Sequence, residues 1–128
     1  MIPNSGYRFS DKIMRKQYRN PMDAPYFYIV KFWVHPDGLK PVLDWLDRGH
    51  MAEVVAQPGF LFVRRVKLEQ ASDDGWSAYM MIYGLQSQAA LQRYVDGPAP
   101  AKFAQERKPF EHHLRMERVF GAVDAAVP

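Results

Sequence analysis

Apolar positions change period several times along this chain, and the changes divide it into elements. From Tyr26 to Val34 the run Tyr-Phe-Tyr-Ile-Val-Lys-Phe-Trp-Val is dense in β-formers and apolar on both faces, interrupted only by Lys31. It predicts a central strand. Pro36-Asp37-Gly38 then makes a turn. Beyond it Leu39, Val42, Leu43, Leu46, His50 and Val54 recur at three- and four-residue spacing, the period of a helix with Pro41 tolerated in its first turn. Gln57-Pro58-Gly59 stops it. Phe60 to Leu68 reads as a second strand, with Phe60, Phe62, Arg64 and Val66 on one face and Leu61, Val63, Arg65 and Lys67 on the other. After a polar connection from Ala71 to Gly75, Trp76 to Tyr83 forms a third strand that Gly84 ends. Its faces are Ala78, Met80 and Ile82 against Tyr79, Met81 and Tyr83. Ser87 is an N-cap for a second helix carrying Ala90, Leu91, Tyr94 and Val95. Gly97-Pro98-Ala99-Pro100 breaks that helix, and a further helical piece runs from Ala101 to about Phe110. A last alternating strand spans Leu114 to Phe120.

Strand, helix, strand, strand, helix, strand is the split βαβ order. It gives a ferredoxin-like α+β domain, a four-stranded antiparallel sheet with both helices on one face. The uncovered face of such a sheet should be polar. Here it is not, because Phe27, Ile29 and Trp33 oppose Tyr28, Val30 and Phe32, and the third strand is apolar on both sides too. A soluble monomer tolerates only a few hundred Å2 of such surface, so a second copy is the economical cover, with the two sheets closing around a shared apolar cavity.

The first 25 residues stand apart as an N-terminal arm. Between Arg8 and Arg19 the cations Arg8, Lys12, Arg15, Lys16 and Arg19 face a single acid, Asp11, and Pro3, Gly6, Pro21 and Pro25 oppose regular structure. The domain proper is 26–128. Much of the formal charge of +3 and pI near 9.2 comes from that arm, and the excess is too small for its length to argue for a nucleic-acid partner. A solvated extension, or one draped on a partner, is expected. With no cysteine among 128 residues there is neither a disulfide framework nor a thiolate metal site, which suits the cytoplasm. No apolar run nears the ~20 residues that span a bilayer, so no membrane partner is expected.

Trp45, His50 and Pro58-Gly59-Phe60, at the first helix and its exit, together with the element order over residues 26 to 120, resemble the dimeric α+β barrel superfamily. The nearest branch is the EthD-like one, whose first helix carries a tryptophan and then a histidine before a Pro-Gly turn. The resemblance implies a homodimer. It also implies a cofactor-independent enzyme, or an accessory protein, acting on a small aromatic or polyketide-like molecule, of monooxygenase, cyclase or isomerase type. A non-catalytic ligand-binding or sensing dimer, with the basic arm reaching a partner, is the rival.

Residues for such chemistry follow. His50 lies on the Leu43, Leu46, Val54 stripe, where an imidazole serves as general acid or base, or packs as a core histidine bonded to a backbone carbonyl. Tyr79 and Tyr83, with Met81 between them, direct two hydroxyls one way into apolar space, either for a ligand oxygen or as plain dimer-core aromatics. Lys31 and Trp33 share a face of the first strand, with the ammonium either in the cavity or at its rim. Arg64 and Arg118 stand among apolar neighbours and need a carboxylate, from the chain (Glu69, Glu117) or from a substrate. His112, His113, His35 and Glu111 lack the spacing of metal ligands, so no metal is expected. With no glycine-rich phosphate loop, Gly-x-Ser-x-Gly elbow or cysteine nucleophile, neither a nucleotide nor a flavin cofactor is supported.

Overall fold

The strand expected from Tyr26 to Val34 is β1, Tyr26–Val34, and it pairs on both sides. β2 is Phe60–Lys67, β3 Ser77–Leu85 and β4 Leu114–Ala122. The sheet is antiparallel in the order β2-β3-β1-β4, with Tyr28 opposite Tyr83 on one side and Phe120 on the other. This computed structural model describes residues 23–128, and the arm expected before β1 lies outside the described residues up to residue 22. No helix among them is long and apolar enough to cross a membrane.

One crossover begins with a short turn of 3-10 helix at Pro36–Gly38. It continues as α1, Leu39–Trp45, through a π-helical turn at Leu46–His50 and into α2, Met51–Val55. The other is α3, Gln88–Asp96, capped by the Ser87 side chain on the Ala90 N–H, then α4, Ala99–Arg107, and a 3-10 stretch at Lys108–His113. The Gly97-Pro98 break expected from sequence therefore falls between two helices. The second of these starts two residues earlier than expected and gives way to the tighter 3-10 geometry at Lys108, before Pro109.

Helix and sheet meet through a core that includes Tyr28, Phe32, Val34, Met81, Tyr83 and Leu85 from β1 and β3, and Val42, Leu46, Val54 and Phe103 from the helices. Val34 and Leu85 are fully excluded from solvent. Each such side chain contributes about 1.5–3 kcal/mol over an exposed one.

Two glycines set local geometry. Gly59 adopts φ 85° in the turn into β2, and a Cβ there would run into Ala90 of α3. Gly84 does not end the third strand, as its residue type suggested. It lies inside β3 opposite Phe27, where the ring of Phe62 fills the space a side chain would take.

The alternation expected for the second strand also breaks. A bulge between Phe60 and Phe62 places Phe60 against Leu85 and Val63 against Tyr83, so Phe60, Val63 and Arg65 face the helices while Phe62, Arg64 and Val66 face away. A strict period of two cannot anticipate an extra residue.

The face turned from the helices carries Phe27, Ile29, Lys31 and Trp33 of β1 and Ala78, Met80 and Ile82 of β3. Val66 and Val119, on its outer strands, are 41% and 50% exposed. The expectation of a sheet apolar on both faces holds within the chain.

Candidate functional site

Between the helices and the sheet lies a cavity with about 510 Å3 of empty volume, its open mouth included. The space is narrow. Its walls are apolar: Val30 and Phe32 of β1, Val42 and Leu46 from the first crossover, Met81 of β3 and Met116 of β4. The polar groups on it are His50, Tyr28, Tyr83, Tyr94, Arg107 and Arg118, with the Trp45 indole beside them. The cavity lies within one chain, between its own helices and sheet, and Met81 and Tyr83 point into it rather than to the sheet's other face.

The sequence candidates accordingly divide. His50, Tyr83, Met81 and Arg118 border the cavity. Tyr79 shares their side of the sheet but is stacked on Phe32, centroids 5.2 Å apart and 12° between planes, and does not reach the cavity. Lys31, Trp33 and Arg64 lie on the opposite face. The Lys31 ammonium sits 4.9 Å over the Trp33 ring, and Arg64 donates to the Val63 carbonyl at 2.8 Å while covering Phe62.

His50 owes its position to the π-helical turn. Five residues on an α-helix differ by 140° in direction, but here the Met51 N–H bonds to the Leu46 carbonyl, the i→i+5 pattern, and brings residues five apart to one side. The Trp45 and His50 rings stack 3.9 Å apart at 19°, and Phe103 meets the imidazole edge-on at 4.5 Å. Behind them the Trp45 indole N–H donates to Glu106 at 3.0 Å. Lys102 bridges Glu53 (2.7 Å) and Glu106 (3.4 Å), tying α2 to α4. His50 Nδ1 is buried without a hydrogen-bond partner among the described residues, so the carbonyl bond open to a core histidine is not made by that nitrogen.

Burial and neighbouring charges keep His50, Tyr83 and Tyr94 neutral. Burial, then the Arg107 guanidinium, lowers the His50 pKa from 6.5 to about 4, against the opposing pull of Glu106 and Glu53. Burial above all, then neighbouring phenols, raises Tyr83 well past the ordinary tyrosine range, and burial pushes Tyr94 up to about 12. At neutral pH the cavity therefore offers an imidazole able to accept a proton and two phenolic O–H groups able to donate hydrogen bonds.

Sequence reading missed Tyr28, Tyr94 and Arg107 as site residues. Arg107 carries a usable signal, since it follows the apolar Phe103 by four positions and so shares its helix face. It also missed a cluster elsewhere. His35, Asp37 and His113 come together with ligating atoms within 4.8 Å, and the rings of the adjacent His112 and His113 lie 4.0 Å apart rather than pointing away. His35 Nδ1 already accepts the Asp37 N–H at 2.9 Å, and the His35 N–H donates to the His113 carbonyl, so these contacts pin the end of β1 to the start of β4.

A family model described as "Domain of unknown function (DUF4286)" matches residues 25–119. The chain belongs to that family. Comparison of this DUF4286 chain with curated proteins finds no match. Among solved structures it is similar to SnoaB, a cofactor-independent oxygenase from Streptomyces nogalater, seen as a single-site mutant. That likeness has 19% identity and a TM-score of 0.53, covering 82% of this chain and 99% of that one. It is similar to the heme-degrader MhuD from Mycobacterium tuberculosis, with 23% identity, TM-score 0.53 and 80% and 99% coverage. A dimeric ferredoxin-like protein from an uncultured marine organism aligns with 12% identity, TM-score 0.51 and the same coverage. These likenesses establish the ferredoxin-like α+β fold.

The lowered His50 pKa has a measurable consequence. The unfolded chain takes up this proton near pH 6.5 and the folded one only near pH 4. The imidazole therefore penalises folding increasingly as pH falls through that window and has no effect above it. At ~1.4 kcal/mol per tenfold change in proton affinity, the penalty reaches about 3 kcal/mol. In urea titrations at pH 7 and pH 4, His50→Phe should lose less stability on acidification than wild type by up to about that amount. Equal losses would mean that His50 titrates as an exposed histidine.

Proposed function

We propose that this DUF4286 chain works as a homodimer whose subunits each take a small aromatic or polyketide-like molecule into the helix–sheet cavity and act on it by proton exchange, without a cofactor. The observation that carries the reading is the convergence of an unprotonated imidazole and un-ionised phenols on one narrow apolar space. His50 accepts a proton from an activated C–H or O–H of the ligand. The Tyr83 hydroxyl hydrogen-bonds the oxygen on which negative charge develops, and apolar walls strengthen that bond by excluding water. The stacked Trp45 holds the imidazole in place. The Trp45, His50 and Pro58-Gly59-Phe60 pattern of the EthD-like branch and the likeness to a cofactor-independent oxygenase support this reading.

The dimer rests on the face turned from the helices. Phe27, Ile29, Trp33, Met80 and Ile82 are each only partly buried there, and with Val119 they make a continuous apolar surface that a second copy would cover. A binding or sensing role is the second reading. It is favoured by the His50 pKa of about 4, which makes the ring a weak base at the pH where it would work.

Sedimentation at micromolar concentration is expected to give a dimer that Ile82→Glu dissociates. A folded wild-type monomer would remove this part of the proposal. Catalysis is tested with 2-tetralone, an aromatic ketone with acidic α-protons, by following deuterium uptake from D2O by NMR. Wild type should accelerate exchange over buffer, and His50→Ala and Tyr83→Phe should each slow it at least about tenfold. A wild type that binds the ketone yet exchanges it no faster than buffer would sink the catalytic reading and leave the binding role.

A further inference from the structure

Two guanidinium groups border the same narrow cavity. Arg107 is the last residue of α4, and Arg118 lies on the helix-facing side of β4, across from Val30. Several cations elsewhere among the described residues are answered by carboxylates. Arg65 bonds Asp47 at 2.8 Å, Lys102 bonds Glu53 at 2.7 Å and Arg115 bonds Asp74 at 3.0 Å. Among the described residues neither Arg107 nor Arg118 has a carboxylate within 4.0 Å.

We propose, building on the reading of this cavity as a site for small aromatic molecules, that its ligand is an aromatic acid whose carboxylate is held by Arg107 and Arg118. Two like charges at the edge of an apolar space repel each other, and the half-buried Arg107 also loses hydration while Arg118 stays exposed. An anion seated on both would offset these costs. Burial, then Arg118, lowers the Arg107 pKa, which records both costs.

The fork of Arg118 is already aimed. Its Nε donates to the Tyr28 hydroxyl at 3.1 Å, which fixes the guanidinium plane and leaves the two terminal nitrogens for a planar acceptor. Tyr28 and Tyr94 stand side by side, centroids 6.3 Å apart, next to the arginines, and add hydroxyl donors to the same end. His50 and Trp45 come from the first crossover, and Met81 and Phe32 form the sheet side of the same cavity. A flat hydrocarbon body with a carboxylate at one end matches this division better than a neutral ketone or a compact anion. The narrowness of the cavity favours a planar ligand over a bulky one.

The experiment uses 2-naphthoate and its neutral amide, 2-naphthamide, titrated calorimetrically into the full-length protein. Wild type should bind the acid at least about tenfold more tightly than the amide, and the preference should fall with added salt. Arg107→Gln and Arg118→Gln should each weaken the acid by at least about tenfold, ~1.4 kcal/mol, and leave the amide within about twofold. Arg118→Lys, which keeps the charge and loses the fork, should fall between. If wild type binds both probes equally, the carboxylate assignment fails while the aromatic cavity stands. If it binds neither, the cavity reading fails as well. The wild-type comparison decides the point even should a variant not fold.

Discussion

A sheet that is apolar on both faces cannot be left half covered, and the structure of this chain follows from that constraint. β1 pairs with β3 and β4 and presents Tyr28 and Phe32 to the helices while Phe27, Ile29 and Trp33 face the other way. The helices seal β3 and much of β1, where Val34, Met81 and Leu85 are buried. Their cover thins toward β4. Met116 is only partly buried, Arg118 reaches solvent and Phe120 is 61% exposed. A cavity results where the first crossover helix and the outer strand stand apart, and it is there that the polar side chains collect.

Within the cavity the groups are coupled through charge as well as position. Arg107 bears on His50 and on Arg118, and Tyr94 feels both arginines. The imidazole is neutral because it is dry and because a cation lies near it. An anion seated on the arginines would offset the second effect and make His50 a stronger base, so binding and proton transfer would be linked by one electrostatic term. The Trp45–His50 stack, backed by Glu106 and Lys102, gives this arrangement its rigid side.

Much of the fold was legible in the sequence because its signals are local and periodic. The Tyr26–Val34 run marked β1 without error at either end, and Ser87 and Gly97-Pro98 bounded α3. The failures share a cause, which is that they depend on contacts between distant segments. Gly84 reads as a terminator until Phe62 is seen filling its place, and the bulge after Phe60 reverses which half of β2 faces inward. The site was half legible. His50, Tyr83, Met81 and Arg118 were named from patterns on single elements. Periodicity shows that a strand has two faces without showing which one meets the helices, so Lys31, Trp33 and Arg64 were grouped with them across the sheet. The five-residue step from Trp45 to His50 joins two rings only through a π-helical turn, which no α-helical period foresees.

Ligand held between helices and sheet can be told from ligand on the sheet's other face, because adjacent methionines on β3 report the two sides separately. Met81 lines the cavity together with Met116, whereas Met80 faces away. With 13C-methyl-labelled methionine and a saturating aromatic acid, the methyl resonances of Met81 and Met116 should shift while that of Met80 stays in place. A shift confined to Met80 would put the ligand on the opposite face and contradict the account.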